Sequence, residues 1–232
     1  MRKILLLATL TILSACSRQE HTSRENASTP AATAPSIVKV PAGTYMLDKA
    51  HASLTFRVNH LGFSNYTARF KSFDAQLQFD PANFAASTVS AKIEPRSLDL
   101  DNPPPGFTDD LLGEQWLNAK QFPEMTLRST KVESTGANSL RITGDLTLHG
   151  VTKPIVLTAT FNGGYEGHPM DPHARIGFSA QGSFKRSDFG VAYGIPAPGT
   201  TMGVSDAVEV VIEAEFSGPP LVAAPIEATS AK

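Results

Sequence analysis

Few residues in this 232-residue chain are of types that do chemistry, and their spacing argues against most of the reactions they suggest. Gly177-Phe178-Ser179-Ala180-Gln181 approaches the G-x-S-x-G elbow of a serine hydrolase, but it fails at the last position and lies inside an alternating, strand-like run. Asp99, Asp101, Asp109 and Asp110 gather around a proline loop and suggest the paired acids of glycoside chemistry; a solvated loop with a helix start is the simpler reading. His168 and His173 bracket Asp171, offering two imidazoles and a carboxylate to a metal. That spacing matches no ligand motif, and Pro169 and Pro172 suggest a rigid hairpin loop, so no metal is expected. His51 and His60 stand at the two ends of one alternating run, and His60 is on its apolar parity, where it can present a polar tip to a cavity. No phosphate loop, CxxC pair or dinucleotide fingerprint occurs, and no cofactor is expected. Non-catalytic binding is therefore the leading reading. The alternative is an envelope enzyme or stress-response factor acting on hydrophobic molecules through His51 or His60.

The elements that carry these residues are strands. Leu54, Phe56, Val58 and His60 alternate with Ser53, Thr55, Arg57 and Asn59, the period of a half-buried strand. After a break at Gly62, Ser64 and Asn65, a second run puts Phe73, Ala75, Leu77 and Phe79 on one face. Phe70 is out of phase with it, which predicts a bulge or register change near Lys71 or Ser72. Further strands are predicted at 44–47, 89–93, 125–133, 140–148, 155–161, 176–184 and 208–216, with His149-Gly150 turning a hairpin.

Residues 101–107 break the pattern with a proline loop. Thr108, Asp109 and Asp110 then start a short helix in the 107–118 region, whose Leu111, Leu112, Trp116 and Leu117 can close one end of a barrel. The count predicts an all-β, eight-stranded antiparallel barrel in preference to a sandwich. Small residues on the inward parity, Ala75, Ala91, Gly144, Ala159, Ala180, Gly182 and Ala214, either leave a lengthwise cavity or offset the phenylalanines in a filled core. The expected ligand-lining set is Phe56, Val58, His60, Phe73, Leu77, Phe79, Phe178 and Phe184.

The net charge of -2 gives no electrostatic case for nucleic acid. Arg2 and Lys3 followed by the apolar run 4–13 read as an export signal over residues 1–15, too short to span a bilayer. Leu13-Ser14-Ala15-Cys16 looks like a bacterial lipobox, so lipidation is expected at Cys16, the single cysteine. Ser17 after it favours the outer membrane on the periplasmic side. Residues 16–43 read as a flexible tether, 44–217 as the barrel and 218–232 as a disordered tail.

Assembled in order, these blocks resemble the bacterial YceI-like family. The pieces are Asp48-Lys49-Ala50-His51-Ala52-Ser53, Phe122-Pro123, Leu146-Thr147-Leu148-His149-Gly150-Val151-Thr152-Lys153 and Arg186-Ser187-Asp188-Phe189-Gly190. Ala68-Arg69-Phe70 departs from the family's usual Gly-x-Phe, and Asp109-Asp110-Leu111-Leu112 from its Asp-x-His-Leu. The resemblance implies a lipocalin-like barrel that binds a long-chain amphiphilic lipid, a polyisoprenoid or isoprenoid quinone, with the polar end near a barrel mouth and the tail among buried aromatics. The other expected partner is the membrane, through the lipidated Cys16; a homodimer is left open.

Overall fold

The structure, a computed structural model, is described for residues 39–221. Ten strands follow one another: β1 Gly43–His60, β2 Ser64–Phe70, β3 Phe73–Phe79, β4 Thr88–Ile93, β5 Leu98–Asp99, β6 Met125–Ser134, β7 Ser139–Leu148, β8 Val151–Tyr165, β9 His173–Lys185 and β10 Val204–Pro220. Each pairs antiparallel with its neighbours, and β10 pairs back onto β1, which closes the sheet. Ten strands make eight staves. Strands β2 and β3 form one stave, because β1 pairs with β3 over 43–46 and with β2 over 54–60. Strands β4 and β5 form another, β4 pairing with β3 and β5 with β2. The all-β, eight-stranded antiparallel barrel is thus the observed fold, and closure leaves no free edge along most of the wall.

The phase slip at Phe70 marks a true interruption: residues 71–72 leave the ladder, and Phe70 and Phe73 both face inward. The hairpin at His149-Gly150 is also as predicted, with φ of 53° and 76° at its two turn residues. Both central residues therefore have the positive φ of a two-residue turn whose twist matches the strands.

Several boundaries differ from the sequence expectation. Residues 43–60 form one strand, not two, and its pairing to β10 jumps from Leu47–Phe216 to Ala52–Ala214. Residues 48–51 thus bulge outward opposite the single residue Glu215. Helix α1, Phe107–Leu112, begins before Thr108: its N-cap is Gly106, with φ of 82°, a left-handed conformation that a glycine adopts without strain. Strand β10 runs past Ser217 to pair Pro220 with His173, so residues 218–220 belong to the wall. At the other terminus Val40 is buried in the core, ahead of the predicted start at 44. Cys16 lies outside the described residues.

Candidate functional site

The barrel interior is not filled. A cavity of about 750 Å³ runs along it, lined almost wholly by apolar side chains. All eight residues of the expected lining set, Phe56, Val58, His60, Phe73, Leu77, Phe79, Phe178 and Phe184, stand on its wall. They get there by strand parity, every second residue of β1, β3 and β9 pointing inward.

The small residues divide into two kinds. Ala75, Ala91, Ala159, Ala180 and Ala214 line the cavity and leave it room. Gly144 and Gly182 do not line it. A Cβ on Gly144 would meet the Arg128 carbonyl oxygen at 2.9 Å, and one on Gly182 would meet Leu157 Cδ2 at 2.6 Å. These glycines let strands approach closely; the alanines make the space.

One end is a floor of aromatic rings. Phe79 sits 5.5 Å from Phe161, 5.7 Å from Phe84 and Tyr45, and 5.9 Å from Phe178, ring centre to ring centre. Such tilted and edge-on contacts are the favoured aromatic geometries. Tyr45 is fully buried, its hydroxyl donates to the Pro41 carbonyl at 2.7 Å, and burial pushes its pKa up to about 12.

The other end is a mouth covered by loops. Residues 100–117 fold across it, and Phe107, Leu111, Trp116 and Leu117 line the cavity from above; Leu112, expected with them, does not. Trp116 packs edge-on against Tyr193, 5.5 Å away, in the loop between β9 and β10. That loop is also tied to the β1–β2 turn, where the Leu61 amide donates to the Gly203 carbonyl at 2.9 Å. Phe63 and Met202, 82% and 71% exposed, project from these two adjoining segments. Polar lining groups at the mouth are His60, Tyr66, Asp101, Asn102 and Arg186.

The remaining chemical candidates lie off the cavity. His51 is on the outer bulge, its Nδ1 3.1 Å from Asp48 Oδ2, and Arg175 donates to the same carboxylate oxygen. The hydrogen bonds from His51 and Arg175 hold the Asp48 carboxyl down to about 2, and Asp48 in turn raises the His51 pKa. Asp48, His51 and Glu215 bring one donor atom each within 4.8 Å of one another, the one such grouping among the described residues. A cation there would have to displace Arg175 from Asp48. The predicted His168 loop is a hairpin tip: His168 and Asp171 exchange backbone bonds of 2.9 Å, while the Asp171 carboxylate accepts from Tyr165 and Arg175.

Asp99 accepts from Lys71 at 2.6 Å and Arg69 at 2.7 Å, which lowers its pKa, the opposite of what a general acid needs. Ser179 donates to Glu213 at 2.6 Å from within β9. His51 therefore faces solvent rather than anything the barrel holds, and of the two histidines only His60 borders the cavity.

The structure also puts Arg186 on the cavity wall, a position absent from the expected lining set. Arg186 continues the inward parity of Ile176, Phe178, Ala180, Gly182 and Phe184, and a cation on that parity was the available signal.

A family description, YceI-like domain, matches residues 45–216. A UPF0312 protein of Vibrio cholerae is 35% identical over 187 residues, covering 77% of this chain and 92% of that protein. Among solved structures, a YceI protein of Campylobacter jejuni is 34% identical, with a TM-score of 0.59 over 75% of this chain and 96% of that one. A polyisoprenoid binding domain from Saccharophagus degradans is 14% identical, with a TM-score of 0.54 over 77% of this chain and all of that one, a likeness of fold.

Proposed function

The chain belongs to the YceI-like family, and from that premise we propose that it is a non-catalytic carrier of a long amphiphilic lipid, a polyisoprenoid or isoprenoid quinone, in the bacterial cell envelope. One observation carries the reading: an apolar cavity of about 750 Å³, floored by aromatic rings and open towards loops. The volume falls within the roughly 300–1,000 Å³ of small-molecule sites. Each methylene moved from water into such a space gains about 0.8 kcal/mol. A long chain is thus held by length, without any single strong contact. In this reading Phe56, Val58, Phe73, Leu77, Phe178 and Phe184 grip the tail, Phe79 stops its end, and His60 stands beside the head.

Export and lipidation of Cys16 complete the proposal. They would leave the barrel tethered on the periplasmic side, at the outer membrane, within reach of lipid. Incorporation of labelled palmitate that disappears in Cys16→Ser tests the anchor. The exposed Phe63 and Met202 at the mouth suit exchange of a ligand with an apolar surface.

Native mass spectrometry of the Cys16→Ser protein, purified from its own envelope without detergent, tests the carrier. The expected result is an adduct with the mass of a long-chain lipid, lost in Ala180→Phe, which fills the cavity while the circular dichroism of the barrel persists. An apo mass, together with no uptake of added polyprenol, overturns the proposal.

A further inference from the structure

Arg186 stands where β9 gives way to the short 3-10 turn Arg186–Phe189, and its side chain is 4% exposed. It is the only Lys or Arg among the described residues lining the cavity. Four of its five N–H groups are spoken for: Nε donates to the Ser205 carbonyl at 2.9 Å, Nη1 to those of Val191 and Tyr193 at 2.9 and 2.8 Å, and Nη2 to that of Val204 at 2.8 Å. The second hydrogen of Nη2 has no acceptor among the described residues. One face of the guanidinium is covered by Trp116, whose ring centre lies 5.1 Å from Cζ.

The charge, too, lacks a direct counter-ion. None of the ion pairs among the described residues includes Arg186. The nearest carboxylate influence is Asp206, whose two oxygens accept from the Ser187 amide at 2.9 Å and hydroxyl at 2.8 Å. Asp101 also borders the mouth but is exposed to solvent. Neutral carbonyls satisfy hydrogens without cancelling charge, and a buried cation in an apolar cavity favours an electron-rich oxygen beside it.

Resting on the carrier reading, we propose that Arg186 is the head-group determinant of the cavity. It selects amphiphiles whose polar end carries an oxygen acceptor, anionic ones above neutral ones, and rejects cationic ends. It also orients the ligand. The head lies at the mouth beneath Trp116, and the tail runs down the barrel towards Phe79.

The purely structural alternative is that Arg186 only fastens the loop between β9 and β10. Head-group selectivity separates the two, since a fastener has no reason to discriminate. The probes are palmitate, methyl palmitate and hexadecylamine, equal in chain length, each displacing the neutral fluorophore 1-aminoanthracene from the Cys16→Ser protein below micellar concentrations. Palmitate is expected to displace it at a concentration about tenfold or more below that of hexadecylamine, with methyl palmitate between them, as charge-assisted hydrogen bonds are stronger than neutral ones.

In Arg186→Gln that spread should collapse to about twofold, a loss matching the removed charge-assisted bond. Should that variant not fold, the guanidinium ¹H–¹⁵N signals of Arg186 in the unsubstituted side chain give the answer: they shift with palmitate and not with hexadecylamine. Equal displacement by all three probes, or guanidinium signals indifferent to palmitate, overturns the inference while the carrier reading stands. Displacement by none of them overturns both.

Discussion

At its floor the barrel is sealed mainly by side chains of the strands themselves, whereas at its mouth it is covered by chain that belongs to no strand. Tyr45, Phe79, Phe161 and Phe178 project from β1, β3, β8 and β9, each paired with a neighbouring strand, and Phe84 joins them from the 3-10 turn Phe84–Ala86. The mouth is built from residues 100–117 and the β9–β10 loop, held to each other by Trp116, which packs against Tyr193 and over the Arg186 guanidinium. The difference assigns the work. Rings on a closed sheet cannot move without breaking the barrel, while loops can open at the cost of a few contacts. A long ligand would enter and leave by the mouth and be measured by the floor.

The largest test of that contrast is Phe79→Ala. Removing a buried ring that touches four others should cost about 3–5 kcal/mol, read as a fall in the urea midpoint with an unchanged slope. The corresponding change at the mouth, Trp116→Ala, should cost only about 1–2 kcal/mol of stability because its contacts are to loops. Its larger effect should be kinetic. Release of bound 1-aminoanthracene, followed by stopped-flow dilution, should speed several-fold in Trp116→Ala and be little altered by Phe79→Ala. If the two variants lose stability alike, the ends are not different in kind.

The same contrast explains what could be read in the sequence. The staves were legible because a wall with one wet face and one oily face must alternate, and even the slip at Phe70 showed as a break in phase. The His149-Gly150 turn was legible for the same local reason. What was not legible depended on distant partners. Residues 48–51 look like a polar link between two strands, and only the pairing of both flanks with β10 makes them a bulge. The continuation of β10 through Gly218, Pro219 and Pro220 reads as a strand end. Gly218 is needed there because a Cβ would collide with the Tyr45 ring, which folds against it from β1. Arg186 was hidden differently: it is followed by Ser187 and Asp188, so the run looks like the start of a polar loop although its parity points inward. An apolar wall states girth and length, and the identity of a head group rests on the few polar residues that break the alternation.

The smallest expected effect tests whether the floor end is also fastened from outside. Asp48, in the β1 bulge, accepts from Arg175 of β9 and His51, and Arg175 continues to Asp171 at 3.0 Å, so one chain of charges spans the strands around the floor. The folded-state pKa of Asp48, about 2, lies below its ordinary 3.8. Its contribution is therefore fully present above pH 3.8 and is lost as the pH falls through 2. His51 has the opposite sign: its pKa is raised, so its share is complete below 6.5 and fades as the pH rises through the folded value. The clamp should be strongest between these limits. Asp48→Asn should lower stability by about 1 kcal/mol at pH 5, a figure kept small because the group is partly solvated, and the gap to the unsubstituted protein should close towards pH 2. Hydrogen exchange at pH 5 should rise in β9 and the lower half of β1 while residues 100–117 exchange as before. A variant that matches the parent protein at every pH would mean that the rings alone hold the floor.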